Sequence, residues 1–211
     1  MSSASQPVGR DLRARRRAPI TRAVFLDRDG VLVEDVDLLT RAGQIRALPG
    51  AAEALRRLKS AGFLLIVVSN QPVIARGLIS EPDLEEINRK IERLLQSDGA
   101  PKWDASYFCP HHPNATLQQY RIDCDCRKPR PGLLRRASDK FRIDLQASFM
   151  VGDRITDVAA GAAAGCRTVL VQTGKHTAPT ITLTQPLDPS LAPDWTCADL
   201  AAAADWILRQ Q

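Results

Sequence analysis

The sequence predicts an α/β protein: a doubly wound, Rossmann-like parallel sheet with helices on both faces. Three observations predict it. From residue 20 onward, short apolar runs alternate with stretches of helical periodicity, the pattern of βαβ units. One run, FLLIVVSN (63–70), is continuous and β-branched, the mark of a strand covered on both faces. Acids and hydroxyls recur where the apolar runs end, which is the rim where open parallel sheets bind ligands.

The elements follow in order. RAVFLD (22–27) reads as the first strand. PGAAEALRRLKSAG (49–62) reads as a helix, with Pro49 before it and Gly62 after it. FLLIVVSN is the second strand. SEPDLEEINRKIERLLQSDG (80–99) is a helix with Ser80 as N-cap and with Glu81 and Asp83 in its first turn. WDASYFC (103–109) is a strand, RPGLLRRASDKF (130–141) a helix and SFMVGD (148–153) a strand. RITDVAAGAAAG (154–165) is an alanine-rich helix and CRTVLVQ (166–172) a strand. Thr173 to Trp195 is rich in Thr and Pro and reads as irregular. CADLAAAADWILRQ (197–210) is the last helix. The connections are short and leave no room for a large cap domain. The exception is residues 109–130, too long and too rich in potential metal ligands for a simple turn.

The 211 residues suit one domain, with no internal repeat. The net charge of +5 is concentrated in residues 1–19, where five arginines face one aspartate; that +4 leaves about +1 for the rest. This stretch is expected to be a disordered basic tail, followed by a single domain over 20–211. The charge distribution argues against nucleic acid. No apolar run reaches the ~18 to 20 residues of a membrane span, and the N-terminus has no apolar core of a secretory signal. A cytoplasmic monomer is expected. An odd count of five cysteines, three of them clustered beside a histidine, points to metal in a reducing compartment and not to disulfides.

Asp27 and Asp29 end the first strand, Ser69 and Asn70 the second, and Asp153 the strand SFMVGD, with Asp157 one turn into the next helix. Each alone reads as a turn or cap residue. Together they put acids and hydroxyls on one rim. There is no G-x-x-x-x-G-K-[ST] and no G-x-G-x-x-G. The D-R-D-G run is no calcium loop, because its glycine comes two places early and Leu38 stands at the twelfth. Clustered carboxylates repel unless a cation lies between them, and hard oxygen ligands suit Mg²⁺. Arg127 and Lys128 add fixed positive charge. Such a set suits phosphoryl transfer, which depends on positioning and charge neutralisation.

FLDRDGVL, VVSNQ, RKPRPG and VGDRITD, in that order, resemble the four motifs of the haloacid dehalogenase superfamily of phosphatases. The resemblance covers residues 22–172. It implies that Asp27 attacks phosphorus to form an aspartyl-phosphate and that Asp29 is the general acid and base. It also implies that Ser69 and Lys128 hold the phosphoryl oxygens, and that Mg²⁺ binds Asp27, the Asp29 carbonyl and Asp153.

Cys109-x-His111, twelve residues, then Cys124-x-Cys126 matches a tetrahedral structural Zn²⁺ site. His112 is the alternative to His111, and the resemblance favours His111. A nucleic-acid zinc module fails on context, since the loop lacks interleaved aromatic and basic residues. A non-catalytic zinc scaffold fails on the presence of both Asp27 and Asp29. Cys166 and Cys197 are expected to pack as small apolar residues, and His176 has no evident partner.

SNQPVIARG, YFCPHHP and CDCRKPRPG narrow the resemblance to heptose bisphosphate phosphatases; histidinol-phosphate phosphatases share the fold and the zinc loop. This implies a small phosphorylated sugar as substrate, within nucleotide-activated heptose synthesis. Ser69, Asn70, Gln71, Arg127, Lys128 and Arg154 would contact it. Two departures stand out: N-Q-P-V in place of N-Q-S-G, and Val36-Asp37-Leu38 in place of H-G-Y. Both fall where the sugar or its second phosphate would be read.

Overall fold

A computed structural model of the chain describes residues 21–175 and 191–210. The basic tail and His176 lie outside the described residues. Six strands form one all-parallel sheet: β1 (Ala23–Leu26), β2 (Leu64–Asn70), β3 (Ala105–Cys109), β4 (Phe149–Gly152), β5 (Arg167–Val171) and β6 (Trp195–Cys197). Their order is β3-β2-β1-β4-β5-β6. The helices are α1 (Ala51–Ser60), α2 (Pro72–Ala75), α3 (Glu81–Ser97), α4 (Gly132–Phe141), α5 (Ile155–Ala164) and α6 (Leu200–Leu208).

The two-residue period of a strand divides the core. Val24 and Leu26 join Leu65, Val67 and Val151 in a cluster with α1, α3 and α6. Ala23 and Phe25 join Ile66, Val68 and Met150 in a second cluster with α4 and α5. All four β1 side chains are fully buried. That explains why the strand reads as a continuous apolar run, and each large one contributes roughly 1.5–3 kcal/mol.

Sequence dictates the helix details. Ser80 caps α3: its Oγ accepts from the Asp83 N–H at 3.3 Å, and Asp83 Oδ2 accepts from the Ser80 N–H at 2.9 Å. Leu84, Ile87, Ile91 and Leu95 give α3 its buried face, and Asn88 lies on that face too. In α5, a Cβ at Gly161 would stand 2.6 Å from Met150 Cβ, so glycine lets this helix lie close on the sheet. Cys166 is buried in the second core and Cys197 packs half-buried on the first.

Two elements depart from the sequence expectation. Trp195–Cys197 is strand β6, where the sequence predicts irregular chain running into a helix; α6 starts only at Leu200, capped by Asp199. Three residues are too few to show a period, and pairing with β5 decides their conformation. The short helix α2 opens with Pro72 at its first position and has no pattern of its own.

The strand order reverses between β1 and β4, which puts the topological switch point there. The Asp27 N–H donates to Val151 O at 2.9 Å across this gap.

Candidate active site and thiol cluster

Asp27 leaves β1, Asp153 leaves β4, and Asp157 sits in the first turn of α5. One carboxylate oxygen from each lies within 4.8 Å of the others, and all three residues are buried. Asp157 has no role in the sequence expectation, yet it completes this cluster. The crowding requires glycine around it. A Cβ at Gly30, where φ is +76°, would fall 2.5 Å from Asp153 Oδ2, and one at Gly174 would overlap the same carboxylate. Gly152 leaves similar room for Asp157.

Lys128 supplies the internal cation. Its Nζ stands 3.0 Å from Asp27 Oδ1 and 2.6 Å from Asp157 Oδ1, and donates to Val68 O at 2.8 Å. The two carboxylate contacts are ion pairs, and the hydrogen bond from Nζ goes to Val68 O. Asn70 locks the Lys128 backbone: Nδ2 donates to Lys128 O at 2.9 Å, and Oδ1 accepts from Lys128 N at 3.0 Å. One lysine cannot neutralise three carboxylates. Burial, with the charges of Asp157, Asp153 and Asp29, therefore holds Asp27 well above the usual carboxylate range despite Lys128. Burial and Asp157 push Asp153 up to about 6. Burial pulls Lys128 down, but Asp157 and Asp27 more than offset it and its value rises.

A divalent cation fits this donor set. Asp153 Oδ1 is buried and has no hydrogen-bond partner among the described residues, although Oδ2 accepts from the Lys175 N–H at 2.7 Å. An ion-sized group of hard oxygens, in excess of its positive charge and with Asp153 Oδ1 and Asp157 Oδ1 both lacking a hydrogen bond among the described residues, is what Mg²⁺ sites offer.

Asp29 stands outside the cluster. Its carboxylate accepts from Arg28 Nε and Nη2 and from Gln71 Nε2 at 3.0 Å. Gln71, expected at the substrate, is buried, and its two amide ends are spent on Arg28 and Asp29. Ser69 is buried at the end of β2. Arg127 donates to His111 O at 3.1 Å. Arg154 Nη2 pairs with Asp35 Oδ2 at 2.9 Å, and Lys175 Nζ bridges Asp35 at 3.5 Å and also meets Asp37. The Val36-Asp37-Leu38 departure therefore belongs to an ion network beside Asp153. Neither Asp35 nor Lys175 is legible in sequence, because both meet their partners only through the fold.

Cys109 ends β3, and Cys124 and Cys126 close the following loop. Their sulfurs lie 3.2 to 3.6 Å apart, and His111 Nδ1 is 3.7 Å from Cys109 Sγ and 3.4 Å from Cys126 Sγ. A tetrahedron drawn around Zn–S bonds of about 2.3 Å has edges of roughly 3.7 Å, so the donors fit Zn²⁺ in a slightly contracted arrangement. The imidazole in this group is that of His111. His112 turns inward, its Nδ1 accepting from the Asn114 N–H at 3.0 Å. Hydrogen bonds from Cys109, then Cys124 and His111, hold Cys126 down to about 5, while Cys109 and Cys124 are pushed up. One thiolate among three cysteines is a cluster short of positive charge.

Comparison with known proteins agrees with this architecture. A HAD-hydrolase-like family model matches residues 125–203. D-glycero-beta-D-manno-heptose-1,7-bisphosphate 7-phosphatase from Escherichia coli is 40% identical over 190 residues, covering 90% of this chain and 95% of that one. The protein of the same name from Pasteurella multocida is 43% identical over 155 residues, 73% of this chain and 83% of that one. Among solved structures, D,D-heptose 1,7-bisphosphate phosphatase from B. bronchiseptica, complexed with magnesium and phosphate, superposes with a TM-score of 0.75. It is 36% identical and covers 90% of this chain and 100% of that one. With buried carboxylates at the switch point and this extent of identity, the chain belongs to the heptose-1,7-bisphosphate 7-phosphatase family of HAD-like hydrolases.

Proposed function

We propose that this chain is a phosphoric monoester hydrolase that removes the 7-phosphate of D-glycero-D-manno-heptose 1,7-bisphosphate, the beta anomer in particular. One observation carries the reading. Asp27, Asp153 and Asp157 converge within 4.8 Å around Lys128 at the switch point. They do so in a chain 40% identical to curated enzymes of that activity, whose names specify the beta anomer.

Asp27 Oδ attacks phosphorus and the sugar oxygen leaves, taking a proton from Asp29. A water then gives its proton back to Asp29 and attacks the aspartyl-phosphate, releasing phosphate and restoring Asp27. The carboxylate nucleophile divides one hard displacement into two easier ones. Lys128 and Ser69 hold the phosphoryl oxygens, and Asn70 keeps the Lys128 backbone in place. Asp27, Asp153 and the Asp29 carbonyl would hold Mg²⁺, with Asp157 beside them. When bound, the ion supplies positive charge that the transferring phosphoryl group requires. Arg127 and Arg154 take the second phosphate, since a planar guanidinium matches its oxygens. Gln71 acts on the reaction through Asp29.

Cys109, His111, Cys124 and Cys126 would hold a structural Zn²⁺. Its place is to fix residues 109–130, which end directly on Arg127 and Lys128. The thiol-rich loop, whose cysteines are unpaired among the described residues, supports work in a reducing compartment such as the cytoplasm.

The test is a phosphate-release screen over both anomers of the heptose bisphosphate, histidinol phosphate and common sugar monophosphates, with elemental analysis of the purified protein. The beta bisphosphate is expected to give the highest kcat/KM, with zinc present in about one equivalent. A preference for histidinol phosphate would overturn the substrate, and zinc-free protein with full activity in magnesium would overturn the zinc site.

A further inference from the structure

Arg28 is 1% exposed and is the largest fully buried side chain in the core. A buried guanidinium is costly unless every part of it is paired. Here each of its three nitrogens has a partner, and the pairing is aimed. Nε and Nη2 grip Asp29 in a fork, at 3.1 Å and 3.0 Å to Oδ1 and 2.8 Å to Oδ2. Nη2 also donates to Gln71 Oε1 at 2.9 Å, which fixes the Gln71 amide so that its Nε2 points at Asp29 Oδ2. Nη1 donates to Asn88 Oδ1 at 3.0 Å, and Asn88 sits on the buried face of α3 among leucines and isoleucines. The Arg28 backbone N–H meanwhile donates to Asp27 Oδ1 at 2.7 Å. One residue therefore holds both candidate reacting carboxylates, one through its backbone and one through its side chain.

We propose that Arg28, held in turn by Asn88 and Gln71, is a positioning residue that fixes the direction from which Asp29 serves the leaving oxygen. The proposal rests on the acid role given to Asp29 above, in which Oδ2 gives up the Gln71 amide donor to carry the proton while the Arg28 fork keeps its hold on Oδ1. A carboxylate on a free side chain samples several rotamers, whereas three fixed donors leave it one. Proton transfer demands hydrogen-bond reach and alignment, and a small misplacement costs rate heavily. A purely structural Arg28, tying α3 to the end of β1, would support folding without discriminating between leaving groups.

Leaving groups make the distinction. A sugar alkoxide needs a proton to depart; a nitrophenolate does not. The ratio kcat/KM reports only the steps through departure of the first product, so later base work by Asp29 does not enter it. The experiment compares kcat/KM for the heptose bisphosphate and for 4-nitrophenyl phosphate in Arg28→Lys, Asn88→Ala and Asp29→Asn, with melting curves for each. Arg28→Lys keeps the charge and loses the fork. It is expected to lower kcat/KM for the sugar roughly ten- to a hundred-fold and for the aryl ester by less than about three-fold. Asn88→Ala should show the same bias more weakly. Equal losses on both esters, or an unchanged rate on the sugar, would overturn the positioning role. If Arg28→Lys does not fold, Asn88→Ala decides by the same comparison. Asp29→Asn should lose the sugar ester but still release nitrophenolate from the aryl ester in a burst of about one equivalent before stalling, since water activation also needs Asp29; normal turnover of the sugar by that variant would instead overturn the acid role itself.

Discussion

The thiol cluster and the carboxylate centre are separated by one residue, Arg127 between Cys126 and Lys128, yet they are built in opposite ways. The carboxylates come from distant parts of the chain, Asp27 at the end of β1 and Asp153 and Asp157 around the start of α5. They carry their own counter-charge, the buried Lys128. The thiols come from one stretch, 109–126, and no lysine among the described residues is paired with them; the neighbouring Arg127 donates to the His111 carbonyl. The first group is a scaffold that folds with its charges partly balanced. The second lacks such a counter-charge, and the proposed Zn²⁺ would hold its loop. The difference leads to the expectation that metal binding and folding are coupled in the loop far more than in the centre.

The largest effect is expected where that centre reacts. Asp27→Asn removes the attacking charge and keeps the shape, while Lys128 retains Asp157 and Val68 O as partners. Turnover should fall by roughly three orders of magnitude or more with little change in melting temperature. A pure variant that still turns over near the normal rate would remove Asp27 from the nucleophile's place, and a collapsed fold would show that Lys128 cannot rely on Asp157 alone.

The loop should respond the other way. Cys126→Ser is expected to release zinc, to expose residues 109–130 to amide exchange and to cut activity roughly ten- to a hundred-fold, although no group of the carboxylate centre is altered. Removal of magnesium by a weak chelator should abolish turnover and leave exchange in that loop unchanged. If magnesium removal loosened the loop as much as zinc removal does, the contrast between the two regions would be broken.

The same contrast decides what was legible in the sequence. The cysteine loop could be read because its four donors lie within 18 residues, at a spacing that zinc chemistry requires. The strands could be read because β1, β2 and β4 are buried on both faces, so burial appears as unbroken apolar runs. The Ser80 cap followed from one residue and its neighbour three places on. The carboxylate rim was readable as strand ends, but not the contacts that organise it. Arg28 looks like a surface residue in a D-R-D run until α3 brings Asn88 over it. Gln71 looks like a substrate contact until Arg28 takes its oxygen. Asp35 and Lys175 are 140 positions apart and meet only through the fold. Side-chain pairing over such separations leaves no period and no motif.

Arg127 tests the junction between the regions, since it follows the last thiol and precedes the lysine. Arg127→Ala should lower kcat/KM roughly ten- to a hundred-fold on the bisphosphate, the loss of about 1.5 to 3 kcal/mol from one charge-assisted contact. A small sugar monophosphate should hardly notice. Equal loss on both would move Arg127 into the reacting centre, and loss of zinc from the variant would make its bond to the His111 carbonyl part of the loop's frame.

The smallest effect expected is one of pH, and its sign follows from charge crowding. Asp153 is raised to about 6 and Asp27 is raised as well, whereas an unfolded aspartate titrates near 4. Between about pH 4 and pH 6 the metal-free folded protein therefore holds protons that the unfolded chain has released. Stability from these groups is present at the acid side of that window and declines as pH rises through it. Magnesium acts against the same protons, because it binds the ionised carboxylates. Its affinity should be steady above about pH 7 and should weaken about ten-fold per unit, for one displaced proton, below about pH 6. Calorimetry in two buffers of different ionisation enthalpy should show proton release on binding at pH 6 and almost none at pH 8. The zinc proposed for the thiol loop would give the internal reference, since Asp153→Asn should abolish the magnesium-linked proton release and leave any zinc content as it was. Proton release that survived Asp153→Asn would assign the titration to Asp27, and an affinity flat from pH 5 to pH 8 would show that the crowding does not raise these carboxylates at all.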